Sequence, residues 1–499
     1  MRRSPILSSV RIFLAGAVVT ITAALMFGIE DPLTTQYPLM WFVAALLFLL
    51  NSLPVLYEIL YREDGPDPFS PILWLSLTFF FNIALSSMRR LNSNDFTLKA
   101  QNVPSGTPTE ILLPVLVFAV ISIICVLLGY YSKYGPRLAE TAPSFNPGWS
   151  SQRAWIGVVF CGAIGLVGYY GLVGLIGTGP RTQLSRGSSA ISFVAINFLS
   201  TAALVAVADT LVTLRRGGFD NILQNPMEWT KARFQPYRLA LPKVALTVFV
   251  FVACVYFLWQ LDGRGRAFTP IVAAGFLFHY VFWRLPYPLG TAFIFIRGFF
   301  ATWAAAVAAA VLTLNPANII ATATDLSSGN ETGYHVSNNL LIVIAGVPDM
   351  LDFQYGETFL SAFFEVLPIS PFQETQFVYN SVFLPDAGRD FGVPISLMGE
   401  LYLNFWIPGI IIGMLVVGLI MRFTYRWLIT GVSRENVAGA LLFAAITNNF
   451  LLTGNFSNSA PAMGLRVLPM IGVLLFVTGL PQQIRRWVTN TISDPSIAD

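Results

Sequence analysis

An all-helical protein crossing a membrane about twelve times is expected, and three observations carry that expectation. Hydrophobic residues make up 55% of the chain and charged ones only 11%, with a mean hydropathy of +0.66. Apolar stretches of about 18 or more residues recur from end to end, each long enough to cross roughly 30 Å of hydrocarbon. Basic residues collect in alternate connections between those stretches, as in a polytopic membrane protein obeying the positive-inside rule.

Taken in order, the first apolar run (12–28) follows Met1-Arg2-Arg3. It has the length of a signal peptide, but no small-residue cleavage site follows it. The next stretch, bearing Tyr37 and Pro38, leads straight into a second run, so a retained helix is expected. Further runs fall near 38–57, 71–88, 111–130, 154–177, 191–213 and 244–260. The run at 271–283 is short enough to be tilted or re-entrant. A ninth lies near 291–313, and the last three lie near 407–422, 437–453 and 464–480. The whole chain, 1–499, reads as one transmembrane domain.

If the N-terminus is cytoplasmic, about 20 of the 29 basic residues fall on the cytoplasmic side. Arg215, Arg216, Lys231, Arg233, Arg238 and Lys243 share one such connection, and an even number of spans returns the C-terminus to the same side. The long hydrophilic segment 315–395 then lies outside as a large loop before the last three spans. Loops of that length are usually functional or disordered. This one contains the apolar stretch 336–347 and, over 353–366, apolar residues spaced about three to four apart, the signature of an amphipathic helix. Helices lying across the outer mouth are expected. No internal repeat is visible, which argues against an inverted-repeat transporter.

Cys125, Cys161 and Cys254 all fall inside apolar runs, where they read as packing residues rather than a disulfide framework or a metal site. No P-loop, nucleotide-binding glycine fingerprint, nucleophile elbow or zinc-protease motif occurs. Neither a cofactor, a catalytic metal nor a nucleic-acid partner is expected.

Two compact arginine pairs defy the positive-inside rule. Arg181 and Arg186 follow the fifth run; Arg264 and Arg266, bordered by Gly263 and Gly265, follow the seventh. A guanidinium is a rigid fork of donors that matches phosphate oxygens, and glycines let backbone N–H groups approach the same anion, so such pairs suit a diphosphate. Their alternative is an interfacial anchor among lipid headgroups. Asp262 beside the second pair reads as an orienter of an arginine.

Of the two histidines, His279 sits in an apolar stretch and reads as a packing or hydrogen-bonding residue, whereas His335 falls in the outer loop and is a candidate general base. Among carboxylates, Glu400 lies roughly ten residues before the span that opens after Pro408-Gly409; an ionisable group at that depth needs a partner or a wet cavity. Its alternative is a structural salt bridge to an arginine of the bundle. Asp390, in a glycine-flanked turn, could line a cleft. Glu357 stands at an expected helix start, where the dipole favours an acid whatever its role.

The segments Tyr355-Gly-Glu-Thr to Leu367-Pro368 and Ser396 to Gly409, with the two arginine turns, resemble the Wzy-type polymerases of bacterial surface polysaccharides. Span count and loop placement agree with that family, although its usual Ile-Pro-Arg reads Leu367-Pro368-Ile369 here. The resemblance implies a fold related to the polytopic C-type glycosyltransferases and a bacterial plasma-membrane enzyme with both termini cytoplasmic. It would join oligosaccharide repeat units carried on undecaprenyl diphosphate into an O-antigen, capsule or exopolysaccharide at the outer leaflet. Its partners would be the lipid-linked oligosaccharide, membrane lipids and a chain-length regulator. Two alternatives stand beside it: an O-antigen ligase using the same donor, and a flippase or secondary transporter. The transporter reading requires charges near midspan, which are scarce.

Overall fold

The computed structural model describes residues 37–61, 67, 69–79, 83–84, 87, 108–142, 148–176, 186–216, 235–262, 264–282, 334–364, 382–383, 396–430, 436–447 and 460–479. Among these there is helix and no strand. In chain order the helices are α1 (Pro38–Tyr61), α2 (Pro71–Phe79), α3 (Pro108–Tyr131), α4 (Tyr134–Thr141), α5 (Ser151–Ile176), α6 (Arg186–Arg216) and α7 (Gln235–Asp262). Then come α8 (Arg264–Phe282), α9 (Tyr334–Gly346), α10 (Glu357–Phe364), α11 (Ser396–Tyr425), α12 (Val437–Thr447) and α13 (Ala460–Thr478). Six of them, α1, α3, α5, α6, α7 and α11, are long and apolar enough to cross a membrane. The chain is therefore all-helical in its described part and compatible with a multi-pass membrane protein. The expected spans at 12–28 and 291–313, and most of 315–395, lie outside the described residues.

These helices bury one another in two clusters. One is built around α6, against α5, α7, α8, α12 and α13; the other is built around α3, against α1, α2, α9 and α11. The α3–α11 contact depends on two glycines. A Cβ on Gly129 would stand 2.1 Å from the carbonyl oxygen of Leu415, and one on Gly418 would stand 2.2 Å from that of Val126. Close backbone approach through small residues is how helices gain packing where lipid removes the hydrophobic drive.

Two expectations need correction. The stretch 336–347 does not lie across a surface: Leu340, Leu341, Ile342 and Val343 of α9 are buried in the α3 cluster. Leu340 to Ala345 are apolar on every side of the helix, and such a segment is stable only when covered on every side. The short run at 271–283 belongs to a 19-residue helix that starts at Arg264, so Arg264 and Arg266 occupy its first turn rather than a loop. Arginine, alanine and phenylalanine are tolerable helix residues, and Gly265 costs only about 1 kcal/mol there.

Helix direction alternates as the spans predict. Asp209 near the C-terminal end of α6 pairs with Lys243 near the start of α7 at 2.6 Å. It also accepts from Ser151, at the start of α5, at 2.9 Å. Arg215, at the end of α6, donates to the carbonyl of Val281 at the end of α8 at 3.3 Å. The C-terminal ends of α3, α6, α8 and α11 thus meet the N-terminal ends of α2, α5 and α7. Lys133, Arg137, Arg153, Arg215, Lys243 and Arg422 belong to this end.

Candidate functional site

Helix α11 carries a buried polar centre near each of its ends. Toward its N-terminus, Ser396 to Asn404 are all buried, with Glu400 only 2% exposed. Helical geometry fails at Trp406 (φ 58°, ψ −149°), a region essentially reserved for glycine and costing on the order of 1–3 kcal/mol elsewhere. Two residues later Pro408 has no N–H to give the carbonyl of Asn404. Backbone groups freed at such a depth must find partners inside the protein.

The segment leading into α10 supplies them. Gln354 N–H donates to the carbonyl of Leu403 at 3.0 Å and Tyr355 N–H to that of Asn404 at 3.1 Å. The Gly356 N–H donates to Asn404 Oδ1 at 2.9 Å. Asn404 Nδ2 in turn donates to Thr358 Oγ1 at 2.6 Å and to the Glu400 carbonyl at 2.8 Å. With its oxygen accepting from Asn404, the Thr358 hydroxyl points its own proton at Glu400 Oε1, 3.3 Å away. Residues 352–358 therefore form a strap across the break in α11. Its attachment explains why the amphipathic helix expected over 353–366 begins only at Glu357. The chain reaches the open carbonyls outside any helix over 352–354, turns at Gly356 (φ 93°), and becomes helical from Glu357.

At the other end of α11 lies Asp67, 1% exposed. Its Oδ2 accepts from the Tyr425 hydroxyl at 2.5 Å and stands 3.1 Å from that of Tyr280. Its Oδ1 is 3.1 Å from His279 Nε2 and accepts from Phe69 N–H at 3.0 Å. The Asp67 N–H donates to Glu58 Oε2 at 3.3 Å. Next to it, the hydroxyls of Ser70 and Tyr130 are 3.3 Å apart, and the Arg422 guanidinium lies 5.2 Å from the centroid of the Tyr130 ring. Phe69, Tyr280 and Tyr425 belong to the α6 cluster and Tyr130 to the α3 cluster, so this knot sutures the seam between them.

Of the candidate catalytic and diphosphate-binding residues, only Glu400 has a described side-chain environment, while Glu357 stands exposed at the start of α10, the helix start expected for it. Arg264 and Arg266 open α8, Arg186 opens α6 and His335 stands in the first turn of α9, with their side chains outside the described residues. Arg181 and Asp390 lie wholly outside them. His279 has the hydrogen-bonding role its apolar setting suggested. Thr358 and Asn404 escaped sequence reasoning, although Asn404, one helical turn after Glu400 and four residues before Pro408, carried a signal: a polar side chain beside a helix break. Asp67 and Glu58 escaped because they fall in an ordinary-looking charged connection. All three cysteines are buried and unoxidised, and no group of metal-binding side chains occurs among the described residues.

Fold and site together define, among the described residues, a helical bundle whose long apolar helices are compatible with a multi-pass membrane protein, with a buried carboxylate beneath a strapped helix break. No family model, curated protein or solved structure matches the chain.

Proposed function

We propose that this protein polymerises polyprenyl-diphosphate-linked oligosaccharide repeat units into a surface polysaccharide. The observation that carries the reading is Glu400: a carboxylate buried under a strap, at the end of α11 away from the basic residues. In this reading the basic end faces the cytoplasm, following the positive-inside rule, and Glu400 serves the outer leaflet. Helix α8 also has its C-terminal end at the knot, so Arg264 and Arg266 stand about 24 Å of helix away from it. Two arginines and the N-terminal end of a helix dipole then favour the same anion, the diphosphate.

The chemistry balances without ATP or metal. The acceptor hydroxyl oxygen bonds to the anomeric carbon of the growing glycan as the bond from that carbon to the diphosphate oxygen breaks. The hydroxyl proton passes to the Glu400 carboxylate, and the electron pair departs on the polyprenyl diphosphate, held by the arginines. Glu400 is covered by Thr358, so the strap lifts to admit the hydroxyl. His335 and Asp390 remain alternative bases, and Arg181 and Arg186 a second diphosphate contact.

The test is polymer length on gels from a deletion strain complemented with each variant, with membrane protein levels matched. Arg264→Ala and Arg266→Ala should each remove a charge-assisted contact made in the transition state. That costs on the order of 2–4 kcal/mol, about 30- to 1000-fold in rate. Lysine at either position keeps the charge without the fork and should restore only part of the activity. Glu400→Gln, nearly isosteric and still able to accept from Thr358, should abolish polymer while leaving the fold intact. Full-length polymer from Arg264→Ala, Arg266→Ala and Glu400→Gln alike would refute the reading.

A further inference from the structure

The strap and the helix break that flank the Glu400 centre leave aromatic rings uncovered. Tyr355 is 80% exposed and Trp406 51% exposed. The two are joined through the backbone, because Tyr355 N–H bonds the carbonyl of Asn404 two residues before Trp406. Behind them, Phe353 lies 6.4 Å from the Trp406 ring and 6.0 Å from that of Tyr402. Asp349 and Asp352 are exposed in the turn that leads to the strap. Gln354 Nε2 holds the turn by donating to the Asp352 carbonyl at 2.7 Å.

Both exposed aromatics sit on left-handed backbone, Tyr355 at φ 46° and Trp406 at φ 58°. An aromatic residue that only anchors a helix at a membrane surface can stand on ordinary helical backbone. Here the chain adopts, at both aromatic positions, a conformation that glycine would accept freely, and the outcome is two rings presented to the surroundings. Strain of this kind persists where the surrounding structure enforces it and function uses it.

We propose that Tyr355 and Trp406, with Asp349 and Asp352 at their edge, form a carbohydrate-binding face that seats the terminal pyranose of the acceptor glycan. A pyranose has an apolar C–H face, which an aromatic ring covers, and a rim of hydroxyl donors, which carboxylates accept. The face lies over the carboxylate that takes the hydroxyl proton, so a sugar bound there approaches Glu400 as the strap lifts. The inference rests on the polymerase reading for the role of the sugar, but not for its binding.

Saturation-transfer NMR on the full-length protein in detergent, with a panel of methyl glycosides (glucose, galactose, mannose, N-acetylglucosamine, rhamnose, glucuronic acid), reads binding without any need for polymer synthesis. At least one glycoside should receive saturation. Its signal should fall at least about fivefold in Tyr355→Ala and in Trp406→Gly, the second of which relaxes the backbone while removing the ring and so stays folded. Tyr355→Phe should retain the signal. In nanodiscs of a protein lacking the native cysteines, Tyr355→Cys should react rapidly with a water-soluble maleimide. The proposal is overturned if no glycoside receives saturation, if the signal survives loss of both rings, or if the cysteine is shielded by lipid. Binding without polymer synthesis would sink the enzyme reading alone, and polymer synthesis without binding would sink this one alone.

Discussion

Asp67 and Glu400 are both buried carboxylates touching α11, yet their surroundings differ in kind. Asp67 is held by Tyr425, His279, Tyr280 and Phe69, donors drawn from three separate stretches of chain. The neighbouring Asp209 is similarly enclosed by Lys243, Trp149 and Ser151. Glu400 is approached by the Thr358 hydroxyl on a short strap whose remaining ties run to the backbone and amide of a broken helix turn. The Asp67 end has large buried rings, among them Tyr425 and Tyr130, and α11 runs on there into a π-helical turn, Arg426–Thr430. The Glu400 end has positive φ at Tyr355, Ser396 and Trp406 and exposed rings. A buried charge saturated from many directions resists motion and makes a good suture. The Glu400 carboxylate lies instead beneath a short strap clipped to a broken helix turn, and the proposed polymerase reading has that strap lift.

The comparison breaks most visibly at the suture. Asp67→Ala takes a buried acceptor from the Tyr425 hydroxyl and His279, while the Tyr280 hydroxyl keeps the carbonyl of Phe69, a loss expected to cost roughly 3–5 kcal/mol. Thermal unfolding of the purified protein should show it as a large drop in midpoint or a failure to accumulate; an unchanged midpoint would mean the knot is not structural. Next in size is Gly418→Val. The new Cβ meets the Val126 carbonyl oxygen at 2.2 Å, α3 and α11 must separate, and stability should fall by about 1–3 kcal/mol or more.

Removing the amide that clips the strap is a smaller perturbation and a sharper one. Asn404→Ala should cost about 1–3 kcal/mol. It should also raise the rate at which a cysteine placed at Glu400, in a background without the native cysteines, reacts with a maleimide. Equal rates with and without Asn404 would show that the strap does not gate the carboxylate. The smallest effect concerns strain alone: Trp406→Gly should be more stable than Trp406→Ala by on the order of 1 kcal/mol, since only glycine adopts that backbone freely. Chemical denaturation of the two variants side by side gives the difference.

Much of the architecture was legible beforehand because hydropathy is a sum over neighbours in sequence. The runs near 38–57, 111–130, 154–177, 191–213 and 244–260 each became a helix within several residues of its expected bounds, and their alternation followed. The site was only partly legible. Glu400 stood out through its nearness to an apolar run, a local property. The strap was misjudged because its conformation answers to two carbonyls some 50 residues further along, not to its own periodicity.

By itself, then, the sequence determined which segments are helical and apolar, how they alternate, and that a carboxylate must be accommodated before Pro408. Each follows from transfer free energy and backbone satisfaction within one stretch of chain. Tertiary structure alone decided that Asp67 meets His279 and Tyr425, 212 and 358 residues away, and that Gly129 faces Leu415. It alone decided that Tyr355 and Trp406 turn outward on strained backbone. Those choices depend on which surfaces fit when two clusters close on each other, and a buried hydrogen bond takes whichever partner the packing delivers.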